Sequence, residues 1–181
     1  MSTTTLTTRR RILDAGLAPD ERLHAQRLLP LLLAQDGSTT RLCETVAGGP
    51  VELLLLHQAP TDRVPAVVRE HLPGTRFLER CTALACDGEV MMDNLVYIAL
   101  DGLEPALREG LEQGHAPIGH LLAPLWVRRQ PLPLDAAMCE RLWHFGGAPD
   151  APASRTYRID ALDHPAMLIA ETFRRGMLGP R

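Results

Sequence analysis

Alternation of apolar and polar residues predicts strands along much of the chain. The clearest runs cover residues 51–58, 75–86, 90–100, 154–159 and 165–173. Successive strand side chains point to opposite faces, so most of these runs offer at least one apolar face to a core. Asp87-Gly88 separates the second run from the third, and this dipeptide is typical of a tight hairpin.

Apolar residues at helical spacing predict short helices between the strands. We expect helices after Pro19, within residues 60–72, from Asp101 to Gly114, from Pro117, and over residues 135–143. Pro30 should kink the first helix or divide it, because proline lacks the backbone N–H of a helix interior. Strands joined mainly as hairpins, with helices near the start and in the middle, predict an α+β fold with an antiparallel sheet.

Two charged residues interrupt otherwise apolar strand faces. Glu171 shares a face with Met167, Ile169 and Phe173, and Arg80 lies on the largely apolar face of the second strand. A carboxylate among apolar neighbours must be paired, held protonated or used in chemistry. From the pattern alone, a buried Arg80–Glu171 ion pair that fixes strand register is as good an interpretation as a functional one.

Composition narrows the class of protein. The 181 residues suit one globular domain, which we place at 13–181 behind a mobile segment at 1–12, and 45% of the residues are hydrophobic. A net charge of −3 gives no basic field for nucleic acid, and no apolar run is long enough to span a bilayer. All 19 basic residues are arginine, which excludes Schiff-base chemistry and a P-loop lysine.

Cysteine and histidine spacings predict no metal site. The cysteines at 43, 81, 86 and 139 form no CxxC pair, and His115 and His120 fit no zinc spacing. We interpret the cysteines as small buried residues of a cytoplasmic protein.

Two turns offer backbone amides to an anion. The segment Asp36-Gly37-Ser38-Thr39-Thr40-Arg41 combines small hydroxyl residues with an arginine, although a plain helix cap at Ser38 or Thr39 explains it more simply. Pro117-Ile118-Gly119 begins a second short helix, and a helix start favours a carboxylate. Most helix starts bind nothing, so each signal is weak alone.

Taken together and in order, four segments resemble the chorismate pyruvate-lyase (4-hydroxybenzoate synthase) family, including its shorter actinobacterial and archaeal members. These segments are residues 31–42, Arg80 ahead of the Asp87-Gly88 hairpin, Pro117-Ile118-Gly119-His120, and Arg155–Ile159 followed by Ala170–Phe173. The resemblance spans roughly residues 20–175. PIG replaces the family's PLG, and Asp93 and Asn94 depart from its pattern near the cavity.

The resemblance implies a single-domain α+β fold with a twisted antiparallel sheet, helices packed on it and an enclosed ligand cavity. It implies a monomeric carbon–oxygen lyase that takes a small carboxylate substrate and needs no metal or organic cofactor. Chorismate would lose pyruvate and aromatise to 4-hydroxybenzoate. Arg80 and Glu171 would be catalytic, with Arg80 on the enolpyruvyl carboxylate or ether oxygen and Glu171 moving the proton, while the substrate-binding residues would be Ser38, Thr39, Arg41, Ile118 and Gly119.

Other functions fit the same residues. A related enzyme of specialised metabolism could use the cavity for another elimination, isomerisation or cyclisation. A non-catalytic ligand-binding module is a further alternative, since some bacterial regulators carry ligand-sensing domains of this fold. That version would normally follow a DNA-binding helix-turn-helix, and about 20 residues precede the first predicted helix, so we rank it below the enzymes.

Overall fold

The predicted strands pair as one antiparallel sheet of six strands in the order β1-β2-β3-β6-β5-β4. The computed structural model describes residues 12, 13 and 15–179. Its strands are β1 (Glu52–Thr61), β2 (Phe77–Cys86), β3 (Glu89–Ala99), β4 (Val127–Leu132), β5 (Ser154–Ala161) and β6 (His164–Phe173). The α+β prediction, with a single domain built on an antiparallel sheet, is confirmed.

Helices cover both faces of this sheet. They are α1 (Pro19–Ala34), α2 (Thr39–Ala47), α3 (Ala66–His71), α4 (Pro105–Gln113), α5 (Ile118–Leu121) and α6 (Ala136–Gly146). We call the face under α1, α2, α4 and α5 the cavity face, and the face under α3 and α6 the back face. On the cavity face the apolar core is divided between a cluster below α1 and α2 and a second cluster below α4 and α5.

Tight turns set the strand register. Asp87 and Gly88 both have positive φ, 50° and 75°, which is the backbone that a two-residue hairpin turn with right-handed strand twist requires. The turn between β5 and β6 has the same character at Leu162 and Asp163. Each hairpin fixes which residues lie opposite one another, so the turns determine which side chains meet on the cavity face.

Several elements differ from the sequence prediction. β1 continues through Pro60 and Thr61, so α3 is shorter than predicted. A bulge after Leu55 turns His57 to the back face. β4 was not predicted, because its proline and paired arginines hide the alternation.

Two helices also differ from the prediction. α1 is continuous through Pro30, which is exposed and loses only its own N–H bond. α4 begins at Pro105, because Asp101 instead binds Arg76 at 2.8 Å.

A second polar cluster lies on the back face around Glu79. The Glu79 carboxylate is buried and accepts from Arg141 Nη2 at 2.7 Å, from the Tyr97 hydroxyl and from His57 Nε2 at 3.1 Å. His57 also stacks on Phe145 with ring centroids 4.5 Å apart. Arg141 and Phe145 belong to α6, and their partners belong to β1 and β2, so the cluster fastens α6 to the sheet.

Three further predictions concern the N-terminal segment, membrane-spanning segments and the cysteines. Residues 1–11 of the predicted mobile segment lie outside the described residues, and Ile12 pairs with Arg174 as an isolated bridge. In the described part of the chain, no helix is both long and apolar enough to cross a membrane. Cys43, Cys81 and Cys139 are buried and Cys86 is half-buried, and none of these four described cysteines forms a disulfide.

We predict that Glu79→Gln will weaken the pH dependence of the unfolding free energy in acid. Burial raises the pKa of Glu79, but hydrogen bonds from Arg141 and Tyr97 outweigh burial and hold the pKa below its ordinary value of 4.5. The unfolded state therefore binds more protons near that pH, so the contribution of Glu79 is complete above pH 4.5 and is lost as the pH falls through the lower folded pKa. At neutral pH the substitution should cost about 1–3 kcal/mol, and this difference should shrink in acid.

Urea unfolding across the acid range measures this effect. The matched control is Glu70→Gln, which changes an exposed carboxylate of α3 and should track the wild type at every pH. Parallel wild-type and Glu79→Gln curves would mean that Glu79 titrates alike in both states.

Candidate functional site

A row of polar side chains crosses the cavity face between the two apolar clusters. Strand pairing places Thr82 opposite Asn94, Asn94 opposite Glu171, and Glu171 opposite Arg155. Paired residues on adjacent antiparallel strands share a face, so these four side chains form one continuous line. All of them lie within the protein, where polar groups need partners.

Glu171 is buried and accepts from four side chains. Arg155 approaches Oε2 with Nε at 2.9 Å and Nη2 at 2.8 Å, and Thr39 donates to the same oxygen at 3.2 Å. Tyr157 donates its hydroxyl to Oε1 at 2.6 Å, and Asn94 Nδ2 lies 3.5 Å from that oxygen. Every partner donates, so the site binds Glu171 as a carboxylate.

Arg155 connects this carboxylate to the end of α1. Its Nη1 donates to the backbone carbonyls of Leu32 at 3.1 Å and Gln35 at 2.5 Å, where the helix ends and its carbonyls lack intrahelical partners. The negative end of the helix dipole also favours a cation there. Burial lowers the pKa of Arg155, but the charges and hydrogen bonds of Glu171 and Tyr157 together more than offset burial and raise this pKa overall.

The Tyr157 phenol keeps its proton in this environment. Burial of Tyr157, and then the adjacent Glu171 carboxylate, raise the pKa of the phenol well above its ordinary value. Its hydroxyl is therefore a fixed donor toward the carboxylate.

A cavity lies over this row, between the sheet, the start of α2 and the start of α5. Its volume is about 40 Å³, which is room for a few water molecules. Its polar lining comprises Ser38, Thr39, Thr40, Thr82, Asn94, Arg129, Tyr157 and Glu171, and its apolar lining includes Leu53, Leu84, Met92, Ile118, Leu122, Ile159 and Ile169. It is small, mixed in polarity and contains one carboxylate.

The two predicted turns both reach this cavity. Ser38 is the N-cap of α2 and accepts from the backbone N–H of Arg41 at 3.4 Å, while Thr39 contacts Glu171. Ile118 and Gly119 line the opposite wall. A Cβ on Gly119 would lie 2.5 Å from Thr40 Oγ1, so glycine is what allows α5 to approach α2 this closely.

Arg80 does not contact Glu171. Its side chain is fully buried on the cavity face, but Nη2 donates to the carbonyls of Gly114 at 3.1 Å and Ala116 at 2.9 Å. Its Nε and Nη1 are buried and have no hydrogen-bond partner within the described part of the chain. Arg155, not Arg80, supplies the counter-charge of Glu171, so the interpretation of Arg80 and Glu171 as an ion pair is wrong.

The remaining predicted residues lie at different distances from the cavity. Arg41 is exposed and lines an outer pocket, not the cavity itself. Asn94 faces the cavity, whereas Asp93 points to the back face and binds Arg174 at 2.6 Å. Of the two departures from the family pattern, Asn94 is therefore the one that alters the cavity.

Sequence reasoning missed Arg155, Tyr157 and Arg129. The first two were part of a predicted strand without an assigned face. A hairpin between β5 and β6 would have placed Arg155 opposite Glu171, so the turn at Leu162-Asp163 was the available signal. Arg129 had no such signal, because β4 itself was not predicted. Within the described ranges there is no group of three or more metal-ligating side chains.

Comparison with known proteins identifies similar structures at low similarity. No protein-family model and no curated protein matches the sequence. The effector domain of PhnF from Mycobacterium smegmatis has a TM-score of 0.49 at 17% identity, covering 76% of this chain and 88% of that one. A PhnF structure from the same organism gives 0.48 at 16%, covering 87% and 81%. A GntR-family transcriptional regulator from Bacillus cereus gives 0.43 at 9%, covering 68% and 91%. With TM-scores below 0.5, these similarities assign neither ligand nor activity.

We predict strong coupling between Arg155 and Glu171. Arg155→Met leaves the carboxylate buried without a cation, and Glu171→Gln leaves the cation without a carboxylate, so each should cost about 3–5 kcal/mol of unfolding free energy. The double variant should cost clearly less than the sum, because neither charge is then left alone.

Urea unfolding of the four proteins gives the coupling energy. Arg128→Met is the control, since Arg128 is 64% exposed in its pair with Asp160 and should change stability by less than about 1 kcal/mol. Strictly additive single effects would contradict the assignment of this ion pair as the centre of the site.

Proposed function

We propose that this domain binds a small organic acid in the cavity and binds it without turnover. The acid group of the ligand lies against Arg80, and Glu171 accepts a hydrogen bond from a ligand hydroxyl or amine. The observation that carries the proposal is the state of Arg80, a buried cation that has two unpartnered nitrogens and no ion-pair carboxylate among the residues that the structure describes.

A buried guanidinium without a counter-charge is costly. Burial lowers the pKa of Arg80, and taking a charge out of water costs several kcal/mol unless an opposite charge compensates for it. Glu171 does not compensate, because it is bound by Arg155. A carboxylate ligand would supply both the opposite charge and two acceptor oxygens for the planar guanidinium.

Arg80 lies beside the cavity. Thr82, two residues along β2 on the same face, lines the cavity, and so does Pro117, which follows the Ala116 carbonyl that Arg80 binds. A ligand acid group between Thr82 and Pro117 would therefore meet the guanidinium. Glu171 Oε1 carries one short bond from Tyr157 and one long contact from Asn94, so it can accept from a ligand as well.

Ligand entry requires the cavity to enlarge. At about 40 Å³ it is far below the several hundred cubic ångströms of ordinary ligand pockets. α5 is the element best placed to move, since it has four residues and an exposed ion pair, His120 to Glu44 at 2.9 Å, connects it to α2. Such surface pairs contribute about 0–1 kcal/mol, so opening this seam costs little.

The hydrogen bonds of Glu171 favour binding over acid catalysis. A general acid must hold a proton that it can give away. Here Arg155, Tyr157 and Thr39 all donate to Glu171, so in this arrangement its oxygens act as acceptors and not as a proton donor.

The cofactor-independent chorismate lyase is the second candidate. The feature that favours it is the Glu171 carboxylate in the cavity lining, because a carboxylate beside a bound substrate can accept a ring proton. In that reaction the ether bond of chorismate breaks, the ring loses its C4 proton and the enolpyruvyl methylene gains one, giving 4-hydroxybenzoate and pyruvate.

We predict that Arg80→Met will abolish acid binding without unfolding the protein. Methionine fills a similar volume and removes the uncompensated charge, so the free variant should be as stable as the wild type or more stable. Calorimetric titration with 4-hydroxybenzoate should detect binding to the wild type and a loss of at least about tenfold in the variant. Arg76→Met, an exposed arginine on the same side of β2, is the control and should bind like the wild type. Equal affinity in wild type and Arg80→Met would remove Arg80 from the site.

Incubation with chorismate separates the two candidates. If the domain only binds, pyruvate should form no faster with the protein than in buffer. Pyruvate release together with 4-hydroxybenzoate, lost in Glu171→Gln, would establish the lyase instead.

A further inference from the structure

An outer pocket adjoins the cavity on its solvent side. It has a volume of about 220 Å³ and is lined by residues of α2, α5 and β4. Ser38, Gly119, Leu122 and Arg129 line both this pocket and the cavity, so these residues lie between the two. A ligand that opens this wall would extend from one into the other.

The outer pocket is cationic. Its charged lining residues are Arg41 and Arg129, and none of the described residues that line it is acidic. Arg129 Nε is buried without a hydrogen-bond partner, and its Nη1 has only a long contact, 3.5 Å, to the Asp36 carbonyl. The nearest carboxylate along α2, Glu44, is bound to His120.

Arg80, beside the cavity, and Arg129, in the outer pocket, are far apart along the sheet. Arg80 lies on β2 and Arg129 on β4, four strand steps along the sheet, which corresponds to about 19 Å between their backbones. Both side chains project from the cavity face, because Arg129 lies opposite Ile159, which lines the cavity. A ligand that meets both guanidiniums must therefore be elongated and acidic at each end.

We infer that Arg41 and Arg129 form a second acid-binding subsite, and that the ligand is an elongated organic dianion. This inference rests on the proposed function: one acid group lies against Arg80, and the second, a carboxylate or a phosphate, lies between Arg41 and Arg129. Guanidinium groups bind either acid through paired N–H donors.

A matched series of benzoates tests the subsite by calorimetric titration. The probes are 4-methylbenzoate, 4-(carboxymethyl)benzoate and 4-(phosphonomethyl)benzoate, which share a first acid group and differ in the second. At least one of the two diacids should bind ten times more tightly than 4-methylbenzoate, and the tighter one identifies the second group as carboxylate or phosphate. This advantage should decrease at high salt, because the outer pocket is open to solvent.

Variants of the outer pocket locate the effect. Arg41→Gln and Arg129→Gln should each weaken the preferred diacid about tenfold and leave 4-methylbenzoate within about twofold. Arg128→Gln is the control, since Arg128 neighbours Arg129 on β4, points to the opposite face and pairs with Asp160. It should bind all three probes like the wild type.

The outcomes distinguish this inference from the proposed function. If 4-methylbenzoate binds and neither diacid binds more tightly, the subsite is wrong and the acid-binding cavity stands. If the two variants weaken all three probes equally, the arginines do not select the second acid, and the subsite is again wrong. If no probe binds to the wild type, both proposals fail.

Discussion

The ion pair between Glu171 and Arg155 is the interaction on which the rest of the site depends. It joins β6 to β5 within the sheet, and through the Arg155 contacts to Leu32 and Gln35 it fixes the end of α1 over the cavity face. Thr39 adds the start of α2 to the same oxygen. Removal of either charge would leave the other buried alone, so the pair and its hydrogen bonds hold four elements, β5, β6, α1 and α2, in place at a point where the apolar core is interrupted.

The same ion pair explains why Arg155 and Arg80, which lie on one face of the sheet, differ in their hydrogen-bond partners. Arg155 has a carboxylate, a helix end and a hydroxyl around it, and all of its nitrogens are used. Arg80 is more deeply buried than Arg155, but backbone carbonyls occupy only one of its nitrogens. A fold that needed Arg80 only for stability would do better with an apolar side chain of similar size, because an uncompensated buried charge opposes folding. The cost of Arg80 is what favours a role in binding an anion.

The alternation of apolar and polar residues predicted which strand faces carry the buried charges. What it missed is explained by the order of the strands in the sheet. The period of two placed Arg80 and Glu171 on the same kind of face, and both do project from the cavity face. It could not say that β3 separates their strands, with Arg80 opposite Val96 and Glu171 opposite Asn94. Pairing across strands depends on turns and long-range contacts that local periodicity does not contain. The hairpin at Leu162-Asp163 was local, and from it Arg155 could have been paired with Glu171. β4 could not have been found in this way, since Pro131 and two adjacent arginines obscure its pattern.

The polar row also explains why a cavity forms where it does. Apolar side chains on either side pack against α1 and α2 or against α4 and α5, whereas the row of Thr82, Asn94 and Glu171 offers them no apolar surface. The two helical groups therefore separate above the row, and the gap is lined by hydroxyl and amide groups. Gly119 brings α5 close to α2 and keeps this gap small. Ligand binding must then move α5 away from α2. The pair of His120 and Glu44, which connects these two helices, is polar and exposed, so it opposes this movement only weakly.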